Sequence, residues 1–428
     1  MYPAELREYV LSGGIDSALM QCGTAADHIE AARRRTANAI ARFSELFGEE
    51  REVSLFSVSG RTEIGGNHVD HNLGRVIAAG VNMDILAVAA ARTNGVITLH
   101  SEGFAPDTVP PEALRAPDPA YYTTSRAMIA GIGRGMLDRG YKVGGFDAYT
   151  TSDIPEGSGL SSSAAFAVMV GTILNHLYND GAVDNMEIAK IARFAENEFF
   201  GKPCGLMDQT ACAVGGMVTI DFADPASPVV EQIDFDFAAA GYTLCITGTG
   251  GSHADLGEDF AAIPREMKAV AAVFGKDALR GLTVEDLIAR APQLRQVCGD
   301  RALQRAIHFI NEIERVKKEA EALRQGDLPT FLALAMECGN SSFRYLQNAY
   351  SPGASQVQGI SLALCLTEQL LRGTPSAWRL HGGGFAGTIQ AYVPTSLAAD
   401  YKAAMEAVFG DGACHMLSIR QVGASRLY

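Results

Sequence analysis

The sequence predicts an α+β protein on three observations. Strand-like and helix-like runs mix without the regular β–α alternation of a doubly wound sheet. Strand signals crowd the first half, and helical, charged signals crowd the second. Glycine, at 45 of 428 residues, gathers in loops beside strand-like runs. At roughly 150 residues per domain, the length predicts two or three domains. The change in character sets a boundary near 238, giving units 1–238 and 239–428.

The elements follow in order. Residues 1–50 are helical, with Ala37, Ile40, Ala41 and Phe43 near helical spacing and Gly48 as a stop. Val53 to Val58 alternates like a strand, and Val96–His100 and Val143–Thr151 give two more. The last runs into the loop Asp153-Ile154-Pro155-Glu156-Gly157-Ser158-Gly159. An apolar helix follows from Ser162 to about Tyr178. A second spans 186–200, with Ile188, Ile191, Ala195 and Phe199 on one face and Gly201 and Pro203 as its stop. Val218–Phe222 reads as a strand, and 256–345 is mostly helical. Trp378–His381 and Thr388–Val393 read as strands flanking a glycine loop.

Composition excludes several classes of function. The 49 acidic and 35 basic residues give a net charge of −14, against nucleic-acid binding and against docking on an anionic membrane. No apolar run reaches the roughly 20 residues of a spanning helix. The most apolar stretch, Val76 to Ala91, is broken by Asn82 and Asp84. Eight scattered cysteines, none in C-x-x-C, predict reduced thiols in a cytoplasmic protein.

Three segments carry chemistry. In Gly157-Ser158-Gly159-Leu160-Ser161-Ser162-Ser163-Ala164, a strand leads in and a helix leads out. Glycines admit close backbone approach, the helix start offers free N–H groups, and hydroxyls reach phosphate oxygens. The competing reading is a serine N-cap after a flexible turn. No stretch fits G-x-x-x-x-G-K-[ST]; the one G-x-G-x-x-G, at Gly382, Gly384 and Gly387, precedes a strand and so fails as a dinucleotide site. The second segment, Gly60 to Gly74, packs Arg61, Asn67, His68, Asp70 and His71 between glycines. Such a density of hydrogen-bonding groups suits a polyhydroxylated ligand; a metal on His68, Asp70 and His71 and a plain polar turn are the alternatives. The third, Glu196 to Gln209, boxes Asp208 among Gly205, Leu206 and Met207, a partly desolvated setting that tunes a carboxylate for proton transfer.

Together these segments resemble the galactokinase branch of the GHMP small-molecule kinases. Gly60–Gly74 resembles the galactokinase signature G-R-V-N-L-I-G-E-H-x-D-Y-N, and Pro155–Ala165 the phosphate loop P-x-x-x-G-L-S-S-S-A. Cys204–Gln209 resembles the segment C-G-x-M-D-Q, and Gly382–Gly387 the loop G-x-G-F-G-G. The resemblance implies a two-domain GHMP kinase fold, with an S5-like N-terminal half and a ferredoxin-like C-terminal half. It implies an ATP- and Mg²⁺-dependent kinase for the anomeric hydroxyl of a small-molecule sugar, with galactose foremost. An amino sugar, a uronic acid or a heptose is the alternative substrate; a sugar- and ATP-sensing regulator and a metal-dependent hydrolase are rival functions. A monomer or weak homodimer is expected. Carried over, Asp208 is the catalytic aspartate and Arg61 faces it. Asn67, His68, Asp70, Gly205 and Phe260 bind sugar. Gly157, Gly159, Leu160, Ser161, Ser162, Ser163 and Ala164 hold phosphates, and Ser163 and Glu196 ligate magnesium. The chain departs from the pattern at Asn67 for glutamate, His71 for tyrosine, Phe260 for a sugar-contacting tyrosine and Ala386 for glycine. The segment before Val53 looks longer than in typical members.

Overall fold

The computed structural model describes residues 1–155, 157–202, 204–251 and 256–428. Pro203, the expected helix stop, and Glu156 of the phosphate loop lie outside the described residues.

Strands β1 (Ser54–Gly65) and β2 (Arg75–Arg92) form a long antiparallel pair at the centre of the larger sheet. To this pair are added β3 (Ile97–Ser101), β4 (Asp107–Val109), β5 (Gly145–Ser152), β6 (Met217–Asp221) and β7 (Val229–Ile233). The order along the sheet is β12-β1-β2-β5-β3-β4, where β12 is Ser425–Arg426; β6 joins β2 and carries β7. β2 serves two partners: residues 75–79 pair with β6 and residues 85–92 with β5. The smaller sheet has β8 (Tyr242–Gly248), β9 (Ala377–His381), β10 (Thr388–Pro394) and β11 (Cys414–Leu417) in the order β11-β8-β10-β9, all antiparallel. Numbered within this sheet the order is 4-1-3-2, with helices between the first and second and between the third and fourth strands, a ferredoxin-like arrangement. The larger sheet ends at Ile233 and the smaller begins at Tyr242, but the last residues cross back, since Ser425 and Arg426 pair with β1.

The period of two along each strand decides which core a side chain enters. Phe56, Val58, Ala87 and Ala89 enter the main core; Leu55, Leu86 and Val88 enter a second one. That second core is roofed by the N-terminal helices, chiefly Ile29–Phe47, which contributes Ala37, Ile40 and Phe43. With both faces covered, β2 reads as an unbroken apolar run. The stretch from Val76 to Ala91, noted only for its apolarity, is therefore a strand. The apolar helix is Ser162–Tyr178, and the next runs Asn185–Phe194 before a π-turn at Ala195–Phe199. Among the described residues, no helix is long and apolar enough to cross a membrane.

Four side chains sew the smaller sheet to β1 and the residues just after it near the site. Arg379 bonds the Ile64 carbonyl and Glu63. Gln390 Nε2 donates to Thr62 Oγ1 and the Glu63 carbonyl, each at 2.9 Å. His381 Nε2 accepts from the Glu63 N–H at 3.3 Å, and Asn67 Nδ2 donates to the Gly382 carbonyl at 2.7 Å. The loop Gly382–Gly387 is thereby fixed against the first half of the chain.

Candidate active site

Arg61 lies just past a register shift in the β1–β2 pairing, between Ser59 and Arg61, where a bulge re-aims side chains. Asp208 sits in the first turn of the helix Met207–Val214. Their side chains meet as a two-pronged pair: Arg61 Nε to Asp208 Oδ1 at 2.7 Å and Nη2 to Oδ2 at 2.6 Å. Ser161 Oγ donates to Oδ2 at 2.6 Å, and the third guanidinium nitrogen holds the Gly159 carbonyl. One arginine thus couples the carboxylate to the serine loop. Burial acts to raise the Asp208 carboxyl, but the charge and hydrogen bonds of Arg61 and the bond from Ser161 override it and hold it below the usual range. The carboxylate stays ionised and is a weak base.

The loop makes an anion cradle. Ser161 is left-handed (φ 61°), and no side chain caps the helix that starts at Ser162. Its first N–H groups are unspent, at the positive end of the helix dipole. Gly159 has φ 71°, and a Cβ there would lie 2.9 Å from Thr388 Oγ1, so only glycine fits. Ser162 and Ser163 are exposed to the cavity, whereas Leu160 and Ala164 bury their side chains, leaving only their backbone to contact phosphate.

A cavity of about 850 Å³ joins these parts. Arg61, His68, Asp70, Gly157, Gly159, Leu160, Ser161, Ser162, Ser163, Glu196, Gly205, Asp208 and Phe260 all line it. Asp70 presses on Gly205, where any Cβ would strike its carboxylate. Burial, reinforced by the charges of Asp208 and Glu63, pushes Asp70 up to about 6. His68 Nε2 lies 2.7 Å from the Gly383 carbonyl, which can only accept, so that nitrogen carries the proton and Nδ1 is an acceptor. Phe260 stands edge-on to Phe385 and gives the wall an apolar side.

Asn67 corrects the expectation drawn from sequence. It is fully buried and lies behind the cavity wall. Its amide nitrogen donates to Glu63 Oε1 and the Gly382 carbonyl; its oxygen accepts from Asn348 Nδ2 at 2.9 Å and Ser342 Oγ at 3.4 Å. With every polar atom engaged by protein, Asn67 supports the Gly382 loop and has nothing to offer a sugar. The metal reading of His68, Asp70 and His71 also fails: no cluster of three or more metal-ligating side chains exists among the described residues. Burial pushes His71 down to about 3, and its Nδ1 lies 2.8 Å from the Asn72 amide.

Sequence reasoning found no nucleoside pocket. The structure has a second cavity of about 790 Å³ that shares Ser162 and Ser163 with the first. Met128, Phe166 and Phe200 give it apolar walls, and Ser101, Glu102 and Thr124 give it polar groups. Its residues run from Ile85 to Phe200, so no single motif announces it. Gln209, too, was passed over: its Nε2 donates to Glu196 Oε2 at 2.7 Å and holds that buried carboxylate.

A serine-loop half that holds an arginine–aspartate pair, joined to a ferredoxin-like half whose Gly382–Thr388 segment lines the same cavity, is the arrangement of a small-molecule phosphotransferase. The family description "GHMP kinases N terminal domain" matches residues 127–216, and "Galactokinase galactose-binding signature" matches residues 41–91. The galactokinase of Streptomyces coelicolor is 32% identical over 352 residues, 81% of this chain and 86% of that one. The galactokinase of Homo sapiens is 29% identical over 405 residues, 91% of this chain and 96% of that one. Among solved structures, Lactococcus lactis galactokinase complexed with galactose superposes with a TM-score of 0.77 at 22% identity, covering 90% of this chain and 98% of that one. The chain belongs to the galactokinase family of the GHMP kinases.

Proposed function

We propose that this protein transfers the γ-phosphoryl group of ATP to the C1 hydroxyl of galactose, giving galactose 1-phosphate and ADP. The observation that carries the reading is the Arg61–Asp208 pair, set where the serine loop meets the cavity lined by His68, Asp70 and Gly205. The galactose held by the Lactococcus lactis relative supports the choice of sugar.

In this mechanism the loop N–H groups and Ser162 take the phosphates, and the base of ATP enters the second cavity. Asp70 accepts from sugar hydroxyls, and Asp208 receives the C1 hydroxyl. The C1 oxygen bonds to the γ-phosphorus, the bond to the β-phosphate oxygen breaks, and the proton of the C1 hydroxyl passes to Asp208. Because Arg61 makes Asp208 a weak base, the transfer comes late, after the oxygen has begun to bond phosphorus. Positioning and charge then account for most of the rate.

The residues present fit a magnesium ion. Glu196 and Ser163 line one cavity and offer a carboxylate and a hydroxyl, the hard oxygen donors Mg²⁺ takes beside substrate phosphates. The ion would offset charge on the phosphate oxygens. The eight free cysteines agree with a reducing, cytoplasmic setting.

The test is ADP release with Mg·ATP across a panel of reducing sugars that includes galactose, an amino sugar, a uronic acid and a heptose. Galactose should give the highest kcat/KM, with the new phosphate on C1 by NMR; a different best sugar would reassign the substrate. Asp70 adds a pH prediction. It must be ionised to accept hydroxyl protons, so kcat/KM for the sugar should fall as pH drops through about 6 while KM for ATP holds steady. Asp70→Asn should lower kcat/KM for the sugar by about tenfold to a hundredfold and flatten that profile. A wild-type profile level down to pH 5 would remove Asp70 from the sugar contacts.

A further inference from the structure

We propose that Arg35, on the N-terminal helix, is a positioning residue for the nucleotide, gripping from behind the strand end that becomes the phosphate loop. The proposal rests on the ATP reading of the loop and second cavity, and accounts for a segment whose role the sequence left open.

The alternation of β5 sets the geometry. Phe146 and Ala148 enter the main core; Asp147 and Tyr149 face the N-terminal side, where Asp147 pairs with Arg51 and Arg92. Past the strand, Ser152 and Ile154 line the second cavity, while Asp153 between them turns back toward the helix Ile29–Phe47. There Arg35 Nη1 meets Asp84 Oδ1 at 2.6 Å and Asp153 Oδ2 at 3.2 Å. Its Nη2 reaches the Asp84 and Thr151 carbonyls at 3.2 and 3.3 Å. The backbones close the ring: the Asp84 N–H donates to Asp153 Oδ1 at 2.6 Å, and the Asp153 N–H to the Asp84 carbonyl at 3.1 Å.

From the other side Arg420, fully buried, approaches Asp84 Oδ2 at 3.4 Å and donates to Ser57 Oγ at 2.7 Å. Two cations and two carboxylates balance. Without Arg35, two carboxylates joined by a backbone bond face each other with half their compensation gone, and repulsion acts on the residue between Ser152 and Ile154. The planar guanidinium suits this task because it reaches both acids and both carbonyls at once. The helix itself does not depend on Arg35, since Ala37, Ile40 and Phe43 seat it in the second core. Loss of the grip should therefore reach nucleotide binding before it reaches folding.

The experiment compares Arg35→Met, Arg35→Lys, Asp153→Asn and the double variant Arg35→Met/Asp153→Asn with wild type. Arg34→Ala is the control on the same helix, because Arg34 is exposed and pairs with Glu30 at the surface. Arg35→Met should raise KM for ATP about tenfold, leave KM for the sugar within about twofold, and weaken calorimetric binding of a non-hydrolysable Mg·ATP analogue to match. Asp153→Asn should do the same, the double variant should be no worse than either single, and Arg35→Lys, which keeps the charge but not the fork, should restore part of the affinity. An ATP KM within about twofold of wild type in Arg35→Met, or parallel rises in both KM values with a lowered Tm, would overturn the proposal. If no sugar releases ADP with wild type, the functional reading falls, and analogue binding still decides the role of Arg35.

Discussion

Replacing Asp208 by asparagine should cost at least about a hundredfold in kcat. The side chain keeps its shape but loses its negative charge and its second acceptor. Arg61, 7% exposed, presents N–H donors to both carboxylate oxygens. An amide nitrogen there would set donor against donor and leave a buried cation partly unpaired. The carboxylate placed to take the proton of the C1 hydroxyl would then be gone. KM for ATP should change little, because the loop N–H groups and serine hydroxyls remain. The check is steady-state kinetics with circular dichroism on one preparation. Near-wild-type turnover would take Asp208 out of the reaction. Wild-type kcat should also stay level as pH falls through the usual carboxylate range, since Arg61 holds Asp208 below it.

Much of this site was legible in the sequence because phosphate binding is local. Gly157 to Ser163 supply backbone, hydroxyls and a helix start in one run, and the fold needs only to add Asp208. What eluded the sequence depends on contacts between distant segments. Asn67 reads as a ligand from its neighbours, yet Gly382, Ser342 and Asn348, some 300 residues on, consume its amide. The second cavity draws on six segments. Strand reading found β5, where polar Asp147, Thr150 and Thr151 interrupt the apolar run, and passed over β2, whose two faces meet two cores. The N-terminal helices were visible as helices, but the reach of Arg35 to Asp153 was not, because it spans more than a hundred residues.

The largest loss of stability should follow from Arg379→Met, at about 3–5 kcal/mol. Arg379 is fully buried where β9 meets β1, bonded to Glu63 and to the Ile64 and Leu380 carbonyls. Around it Glu63, Glu312 and Glu319 are also buried, with Arg315 paired to Glu312. Burial, with the charge of Glu312, pushes Glu319 up to about 8, so it is neutral at pH 7 and the remaining two acids balance two arginines. A methionine fills the space and leaves Glu63 with no cation in contact. The defect is one of charge, so it should depend on pH; a loss of packing would not. Glu319 adds a pH dependence of its own in the intact protein. Its folded value exceeds its ordinary 4.5, so the folded state holds a proton that the unfolded chain releases, and stability falls as pH rises from about 4.5 to about 8. Glu319→Gln should flatten that decline. Denaturant melts of both variants at pH 5, 7 and 8 separate the two effects. A pH-independent deficit in Arg379→Met would show that the seam beneath the Gly382–Gly387 loop is held by shape rather than by charge.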